Sequence, residues 1–311
     1  GSGMKEYDAV VIGSGPAGIT ASMYLARSGC SVLMPEQLAA GGQILQTEAM
    51  ENYPGFPKGI KGYELADLFD AILAGVAVDR PAASVESVTG SAGHFSVRAG
   101  GVDYAAKTVI VCSGAHHKPL GLENEDRLRG HGVSYCAICD GNFFRNLTVA
   151  VVGGGNSALE ESLYLAKIVG KLYLIHRRDE FRGHKIYQDK LDAHGDKIEI
   201  LRSSVVSQLH GENELTGLTV KELKTGQERH LSVDGLFVYV GYEPSTGFLP
   251  AEVVRDEQGF IITDTEMRTN VSGIFAAGDI RSKLCRQVIT AAGDGATAAQ
   301  AAFVFLEQLH A

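Results

Sequence analysis

The sequence has no excess of basic residues: 28 lysines and arginines face 37 aspartates and glutamates, a formal net charge of −9 over 311 residues. Nucleic-acid binding needs a basic face to neutralise phosphates, so we do not expect a nucleic-acid partner. No apolar run approaches the roughly 18 residues of a membrane span. The first residues also lack the charged and apolar regions of a signal peptide. These absences predict a cytoplasmic protein with no membrane segment.

Cysteine is scarce and unevenly placed. There are five, an odd number, and only Cys136 and Cys139 are close together, which excludes the disulfide framework of a small secreted domain. A zinc site would need a second Cys or His pair at ligand spacing, and none occurs, so no metal is expected. Cys30 and Cys112 lie beside apolar, strand-like segments and are predicted core residues, whereas the role of Cys285 stays open. The expectation is one redox-active pair.

The sequence contains two glycine-rich turns, and each follows an apolar strand pattern and precedes a helix pattern. The first is predicted to hold a dinucleotide, with its pyrophosphate resting on the N-terminus of the helix. Glu36 lies 23 residues after the first glycine, where a carboxylate accepts hydrogen bonds from ribose hydroxyls. The residues of this turn are Gly13, Ser14, Gly15, Pro16 and Ala17.

The second turn differs in its charge. It comprises Gly153, Gly155, Asn156 and Ser157, and the position 23 residues after Gly153 is His176 rather than an acid. Three arginines follow: Arg177, Arg178 and Arg182. Basic side chains at this position suit the 2′-phosphate of NADPH, because each charge-assisted hydrogen bond contributes about 1.5–3 kcal/mol. The second turn is therefore predicted to bind NADPH.

If the second site holds NADPH, the first is expected to hold FAD, because a flavin can take a hydride and pass an electron pair to a disulfide. Gly278 and Asp279 follow a strand pattern and suit a flavin side-chain hydroxyl, although the same pair also suits a helix N-cap. The C-x-x-C spacing lowers a thiol pKa and permits a small disulfide ring. Asp140 follows directly and is a candidate proton shuttle, with a cap or turn residue as the alternative.

The two turns belong to similar modules, each closed by an apolar strand that ends in glycine, at residues 109–114 and 236–241. Helices are predicted over residues 17–28, 61–73, 157–169 and 287–309. The fold class is α/β, with two Rossmann-like (three-layer ββα) nucleotide-binding domains, the second inserted in the first. The FAD domain spans 4–117 and 246–311, the NADPH domain with the dithiol spans 118–245, and residues 1–3 are an expression scar.

Several motifs occur together in order, and with them the chain resembles the low-molecular-weight thioredoxin reductases of bacteria over essentially its whole length from Met4. They are Gly13-Ser14-Gly15-Pro16-Ala17-Gly18, Gly42-Gln43, Asn52-Tyr53-Pro54-Gly55, Cys136-Ala137-Ile138-Cys139-Asp140-Gly141, Gly153-Gly154-Gly155-Asn156-Ser157-Ala158, His176-Arg177-Arg178-Asp179-Glu180-Phe181-Arg182, Gly278-Asp279 and Arg286-Gln287-Val288.

The resemblance implies a homodimer that passes electrons from NADPH through FAD and the dithiol to thioredoxin. It implies that Cys139 is the thiol nearer the flavin, that Cys136 attacks thioredoxin and that Asp140 donates the proton. The expected cofactor contacts include, besides the turns, Glu36, Gly42, Gln43, Ile44, Asn52, Ser113, Gly114, Gly278, Asp279, Arg286, Gln287 and Val288 for FAD, and Val240 for NADPH. Because one flavin must meet both NADPH and the dithiol, the inserted module is expected to rotate about its two connections.

Two other functions are considered. A flavoprotein that reduces a peroxiredoxin or thioredoxin-like partner shares this core but has an additional N-terminal dithiol domain, for which there is no room before the first strand. A redox-sensing flavoprotein would bind nucleotides without turnover, and steady-state NADPH oxidation separates it. The departures from the family pattern, among them Pro35, the crossover at residues 116–122 and Asn142 after the dithiol, bear on partner choice more than on chemistry.

Overall fold

The computed structural model describes residues 3–37, 49, 50 and 52–311. The chain forms two compact units, here called the outer unit (residues up to His116, together with Glu243–Ala311) and the inserted unit (His117–Tyr242). These bounds lie within three residues of the 4–117, 246–311 and 118–245 expected from the sequence. Since the outer unit is discontinuous and the inserted unit is not, the second module interrupts the first.

The described residues form strands and helices with the following bounds. The strands are β1 Glu6–Ile12, β2 Val32–Leu33, β3 Ala49–Met50, β4 Ile60–Lys61, β5 Val78–Asp79, β6 Val85–Ser91, β7 His94–Ala99, β8 Val102–Val111, β9 Ala115–His117, β10 Val133–Ser134, β11 Thr148–Val152, β12 Lys171–Ile175, β13 Ile198–Leu201, β14 Ser204–His210, β15 Gly217–Glu222, β16 Glu228–Ser232, β17 Gly235–Val238, β18 Tyr242–Pro244 and β19 Ile274–Ala276. The helices are α1 Pro16–Arg27, α2 Gly62–Ala71, α3 Glu125–Leu128, α4 Ala137–Asp140, α5 Asn156–Ala166, α6 Lys185–Asp192 and α7 Val288–Leu309.

The outer unit contains a seven-stranded sheet in the order β5-β2-β1-β8-β7-β6, with β19 also paired to β8. Its β5, β2, β1, β8 and β19 pair in parallel, and the β6–β7 hairpin continues the sheet antiparallel from β8. Alternate residues of β1 point to opposite faces. Ala9 and Val11 pack with α1 and α7, whereas Val10 and Ile12 pack with Val88 and the antiparallel hairpin.

The inserted unit repeats this plan. Its parallel sheet has the order β10-β17-β11-β12-β13, beside a separate antiparallel sheet β14-β15-β16. Val149 and Val151 of β11 pack against α5 and α6, while Ala150 and Val152 face the antiparallel sheet. Each unit therefore has a helical layer, a parallel sheet and an antiparallel layer, and the predicted fold class is confirmed.

The helices begin and end close to the predicted residues. Pro16 occupies the first turn of α1, where its missing N–H costs no hydrogen bond, and Gly29 follows the helix with φ of 85°. In the described part of the chain, α7 is the one helix that is long and apolar enough to cross a membrane, with a mean hydropathy of 1.2. Core helices of soluble proteins reach the same length and hydropathy. In this fold Ala298, Ala299 and Ala302 of α7 are buried in the core of the outer unit.

Gly295 lets α7 approach the start of α1. A Cβ atom at this position would lie 2.3 Å from the carbonyl oxygen of Ala17, whereas no described atom lies within 4 Å of one at Gly293 of the same helix. We expect Gly295→Ala to lower the free energy of unfolding by about 1–3 kcal/mol, because the helices must separate. Gly293→Ala should raise it by up to about 1 kcal/mol through helix propensity. Denaturant unfolding followed by circular dichroism measures both, and stabilisation by Gly295→Ala would contradict the prediction.

Candidate active site

The two cysteines of the C-x-x-C pair form a disulfide at the start of α4. Their Cα atoms are 5.3 Å apart. Cys136 has an extended backbone and caps α4, since its Sγ accepts a hydrogen bond from the backbone N–H of Cys139 at 3.2 Å. In this chain Cys139 is exposed and Cys136 partly buried. The disulfide thus spans the first turn of α4, from its N-cap residue to its third helical residue.

Two side-chain hydroxyl groups accept hydrogen bonds from backbone N–H groups at the dithiol. The Tyr239 hydroxyl, which comes from the residue after β17, accepts the N–H of Ala137 at 2.8 Å. Burial raises the pKa of Tyr239, so this group stays a neutral phenol. The Ser134 hydroxyl lies 2.7 Å from Asp140 Oδ2 and accepts the N–H of Cys136 at 3.1 Å. Asp140 is therefore connected to the dithiol by a side chain from β10.

The second glycine-rich turn joins β11 to α5. A Cβ atom at Gly153 would lie 2.1 Å from the carbonyl oxygen of Tyr239, so only glycine permits this close approach of the two strand ends. At Gly155 no described atom lies within 4 Å of a Cβ, which leaves space for a phosphate. Asn156 begins α5 and its Oδ1 accepts the N–H of His184 at 2.7 Å, while Ser157 is in the first helical turn. The helix N-terminus faces open space suited to an anion.

A cleft of about 410 Å³ lies beside this turn, within the inserted unit. It brings together Gly153 with the predicted His176, Arg177, Arg178, Arg182 and Val240. The arginine segment is fixed to the turn because the N–H groups of Arg182 and Gly183 donate to the carbonyl of Gly154, at 2.9 and 3.0 Å. The cleft therefore places the start of the turn, at Gly153 and Gly154, beside a set of guanidinium groups. Gly155, Asn156 and Ser157 follow in the chain but do not line the cleft.

The basic cluster divides into two parts. Arg177, Arg178 and Arg182 are exposed, but His176 is only 4% exposed and its Nε2 lies 2.7 Å from the carbonyl oxygen of Glu180. Its ring stacks on Phe181 and fills the space where a Cβ of Gly154 would lie. Burial lowers the pKa of His176, a shift that the Glu180 carbonyl opposes and the nearby arginines increase. The imidazole is thus a neutral packing group beneath the turn, and the arginines carry the charge.

The first glycine-rich turn, in the outer unit, repeats the geometry of the second. A Cβ atom at Gly13 would lie 2.1 Å from the carbonyl oxygen of Cys112, and no described atom lies within 4 Å of one at Gly15. Glu36, the predicted ribose acceptor, is held by Arg80, whose Nε donates to Oε1 at 3.1 Å. Pro16 and Ala17 open α1, and Ser14 lies between the two glycines.

An unpaired buried carboxylate oxygen lies in the same unit. Asp279 Oδ1 is buried and has no hydrogen-bond partner among the described residues. Burial raises the pKa of Asp279, although Lys283 and Arg286 act in the opposite direction. A buried acceptor without a donor is costly, and this oxygen is available to accept a hydrogen bond from a ligand hydroxyl. The open turn at Gly15 and this acceptor fit the pyrophosphate and the side-chain hydroxyls of a flavin dinucleotide.

Other predicted contact residues of the outer unit are placed as follows. Asn52 Nδ2 donates to Gln287 Oε1 at 3.0 Å, although the two residues are 235 positions apart. Arg286 Nε donates to the carbonyl of Asp279 at 3.1 Å, and Val288 begins α7. Ser113, with Gly114 after it, follows β8, and its hydroxyl donates to the carbonyl of Ser245 at 2.6 Å. Gly278 precedes Asp279 with φ of 84°. The predicted Gly42, Gln43 and Ile44 lie outside the described residues.

Sequence reasoning missed several residues of these sites. Tyr239, Lys118 and Ser204 line the cleft, Ser134 contacts Asp140, and Asp294 accepts Gly278 N–H, Arg281 and Lys283 on one oxygen. Ser134 could have been found from its position two residues before Cys136. The others had no local signal, since their partners are distant in the sequence or belong to a surface formed by several strands.

Two nucleotide turns on repeated three-layer units, with a disulfide at a helix start in the second, define a nucleotide-dependent disulfide oxidoreductase. The family model described as pyridine nucleotide-disulphide oxidoreductase matches residues 7–295, and the chain belongs to this family. The thioredoxin reductase of Listeria monocytogenes is 41% identical to this chain, and the alignment covers 98% of this chain and 95% of the relative. The thioredoxin reductase of Bacillus subtilis is 40% identical, with 98% of this chain and 96% of the relative covered.

Solved structures agree. The thioredoxin reductase of Lactococcus lactis is 40% identical, with a TM-score of 0.89 over 97% of this chain and 99% of that one. That of T. acidophilum is 35% identical, with a TM-score of 0.86 over 99% and 100%. The resemblance inferred from the motifs is confirmed.

The buried His176 predicts a pH dependence of stability. Its folded pKa lies below the unfolded value of about 6.5, so the unfolded state binds the proton first as the pH falls. The stability that the neutral His176 contributes to the folded state is present above pH 6.5 and is lost as the pH falls towards the folded pKa. We expect the inserted unit to lose stability between pH 7.5 and 5.5, and to lose less in His176→Gln. Urea unfolding at the two values measures the difference; equal losses in the two proteins would contradict it.

Proposed function

We propose that this chain is an NADPH-dependent, FAD-containing reductase of thioredoxin disulfide. The observation that carries the proposal is the Cys136–Cys139 disulfide in the same unit as the arginine-lined cleft. The test is steady-state oxidation of NADPH, and of NADH, by the purified flavoprotein with thioredoxin disulfide. A protein that binds both nucleotides but does not oxidise NADPH in the presence of thioredoxin would refute it.

The overall reaction balances with one external proton. NADPH, a proton and the thioredoxin disulfide give NADP⁺ and thioredoxin dithiol. FAD bound at the first turn would supply the two-electron chemistry that connects a hydride donor with a disulfide. We assign its binding to the turn at Gly13–Ala17 and to Glu36, Asn52, Asp279, Arg286, Gln287 and Val288, with Gly42, Gln43, Ile44, Ser113, Gly114 and Gly278.

The dithiol carries the exchange with the partner. We assign Cys136 to attack on the thioredoxin disulfide and Cys139 to the flavin side. Attack by the Cys136 thiolate forms one S–S bond, breaks another and sends the electron pair to the leaving sulfur, which then takes a proton. Asp140 lies one residue after Cys139 and is assigned to carry that proton. Rotation of the inserted unit between the two exchanges stays a prediction.

The partner is inferred from the relatives, which are named thioredoxin reductases. A homodimer is proposed from the family and is consistent with large exposed apolar side chains on the outer unit, among them Tyr24, Tyr63 and Leu68. The acidic charge speaks against nucleic acid. We place the protein in the cytoplasm, where dithiols are kept reduced, and propose no membrane attachment.

The exposed guanidinium groups are expected to select NADPH. Arg177→Ala with Arg178→Ala should raise KM for NADPH by tenfold or more and change KM for NADH by less than about twofold, because only NADPH has the 2′-phosphate. Lys190→Ala, which removes an exposed cation of α6 outside the cleft, is the matched control. Steady-state kinetics with both donors measures the effect. If both KM values rise equally, the arginines do not bind the 2′-phosphate.

The two thiols are expected to have different roles. Cys136→Ser should abolish thioredoxin reduction and show a long-wavelength absorption band, because the remaining Cys139 is the thiolate assigned to the flavin side. Cys139→Ser should trap thioredoxin as a mixed disulfide visible on a non-reducing gel. Adding Cys285→Ser, which removes an exposed thiol outside the pair, should leave the trapping unchanged. The reverse assignment would hold if only Cys139→Ser showed the band and only Cys136→Ser trapped thioredoxin.

A further inference from the structure

We propose that Ser134 is a positioning residue that sets the Asp140 carboxylate for proton transfer at the dithiol. The inference rests on the proposed function, since it takes Asp140 as the proton carrier. It adds a residue outside the C-x-x-C-D motif. The observations behind it are a buried hydroxyl, two hydrogen bonds and the strand that holds them.

Ser134 is held rigidly. It ends β10, whose parallel pairing with β17 sets Ser134 opposite Phe237 in the sheet of the inserted unit. The residue is only 4% exposed. A side chain at a buried strand end has little freedom, so its hydroxyl is a fixed reference point for the turn that follows.

The hydroxyl has one hydrogen and two close acceptors, and distance decides between them. Asp140 Oδ2 lies at 2.7 Å, whereas the carbonyl oxygen of Cys136 lies at 3.2 Å. The shorter contact to a charged acceptor is the stronger one, so the hydrogen is donated to the carboxylate. The oxygen meanwhile accepts the Cys136 N–H at 3.1 Å. Ser134 therefore joins the proton carrier to the backbone of the attacking cysteine.

This arrangement limits where the carboxylate can point. Asp140 ends α4, and without a partner its side chain could turn to solvent. The Ser134 hydroxyl connects Oδ2 to the Cys136 N–H through two successive hydrogen bonds. In the exchange, the proton of the Cys136 thiol passes to Asp140 and then to the leaving sulfur of the partner, so Asp140 ends unchanged. A positioned proton carrier of this kind contributes about 10²–10⁴-fold to rate.

A double-mutant cycle tests the inference in the FAD-loaded enzyme. Ser134→Ala should lower kcat with thioredoxin about tenfold and leave KM for thioredoxin and flavin reduction by NADPH within about twofold. Asp140→Asn should lower kcat by about a hundredfold. The double variant should match Asp140→Asn within about twofold, because a residue that acts only through Asp140 has nothing left to position. Ser134→Thr, which keeps the hydroxyl, should recover most of the activity.

Ser162→Ala is the matched control. Ser162 is a fully buried serine of α5 whose hydroxyl has no hydrogen-bond partner among the described residues, and it should keep kcat. The inference would be overturned if the kcat of the Ser134/Asp140 double variant fell by the product of the two single-variant losses. It would also be overturned if Ser134→Thr recovered no activity. Either result would leave the proposed function intact. If Asp140→Asn keeps full turnover, the assigned role of Asp140 is wrong. If the wild type does not reduce thioredoxin, the proposed function fails.

Discussion

The architecture depends on one close backbone approach, made twice. Where β1 enters α1 and where β11 enters α5, a glycine lies very near the end of a neighbouring strand. A Cβ atom would be 2.1 Å from the carbonyl oxygen of Cys112 at Gly13, and 2.1 Å from that of Tyr239 at Gly153. The contact brings the turn over the sheet edge and aims the helix N-terminus at open space. Both proposed nucleotide sites depend on this contact, which the two units share.

In the inserted unit the same contact connects the nucleotide site with the dithiol. The carbonyl of Tyr239 meets the turn at Gly153, its side chain lines the cleft, and its hydroxyl holds Ala137 between the two cysteines. A sheet edge thus positions two reactive sites with one residue. The outer unit differs, because there the corresponding feature is the oxygen of Asp279 that has no hydrogen-bond partner among the described residues. A ligand that donates a hydrogen bond to that oxygen would offset its desolvation cost.

Charge is distributed by burial in the nucleotide cleft. The exposed Arg177, Arg178 and Arg182 keep their charge in contact with water, while the buried His176 loses its proton more easily and serves as packing under Gly154. From their spacing in the sequence, all four residues were predicted to form one basic cluster. The fold separates them because the first residue after β12 still faces the core, whereas the chain beyond it leaves the sheet.

The sequence by itself determined the fold class, the two turns, the four longest helices to within a few residues and the disulfide partners, because hydrophobic periodicity, glycine spacing and C-x-x-C spacing are local. The shorter helices α3, α4 and α6 were not predicted. Only the tertiary structure decided which side chains complete the sites. The Tyr239 hydroxyl accepts the N–H of Ala137, which is 102 positions away in the sequence. Arg80 donates a hydrogen bond to Glu36, which is 44 positions away. Ser134 is close to Asp140 in sequence, yet the contact depends on how β10 pairs in the sheet. Such contacts depend on strand order and packing, which a pattern along one chain does not encode.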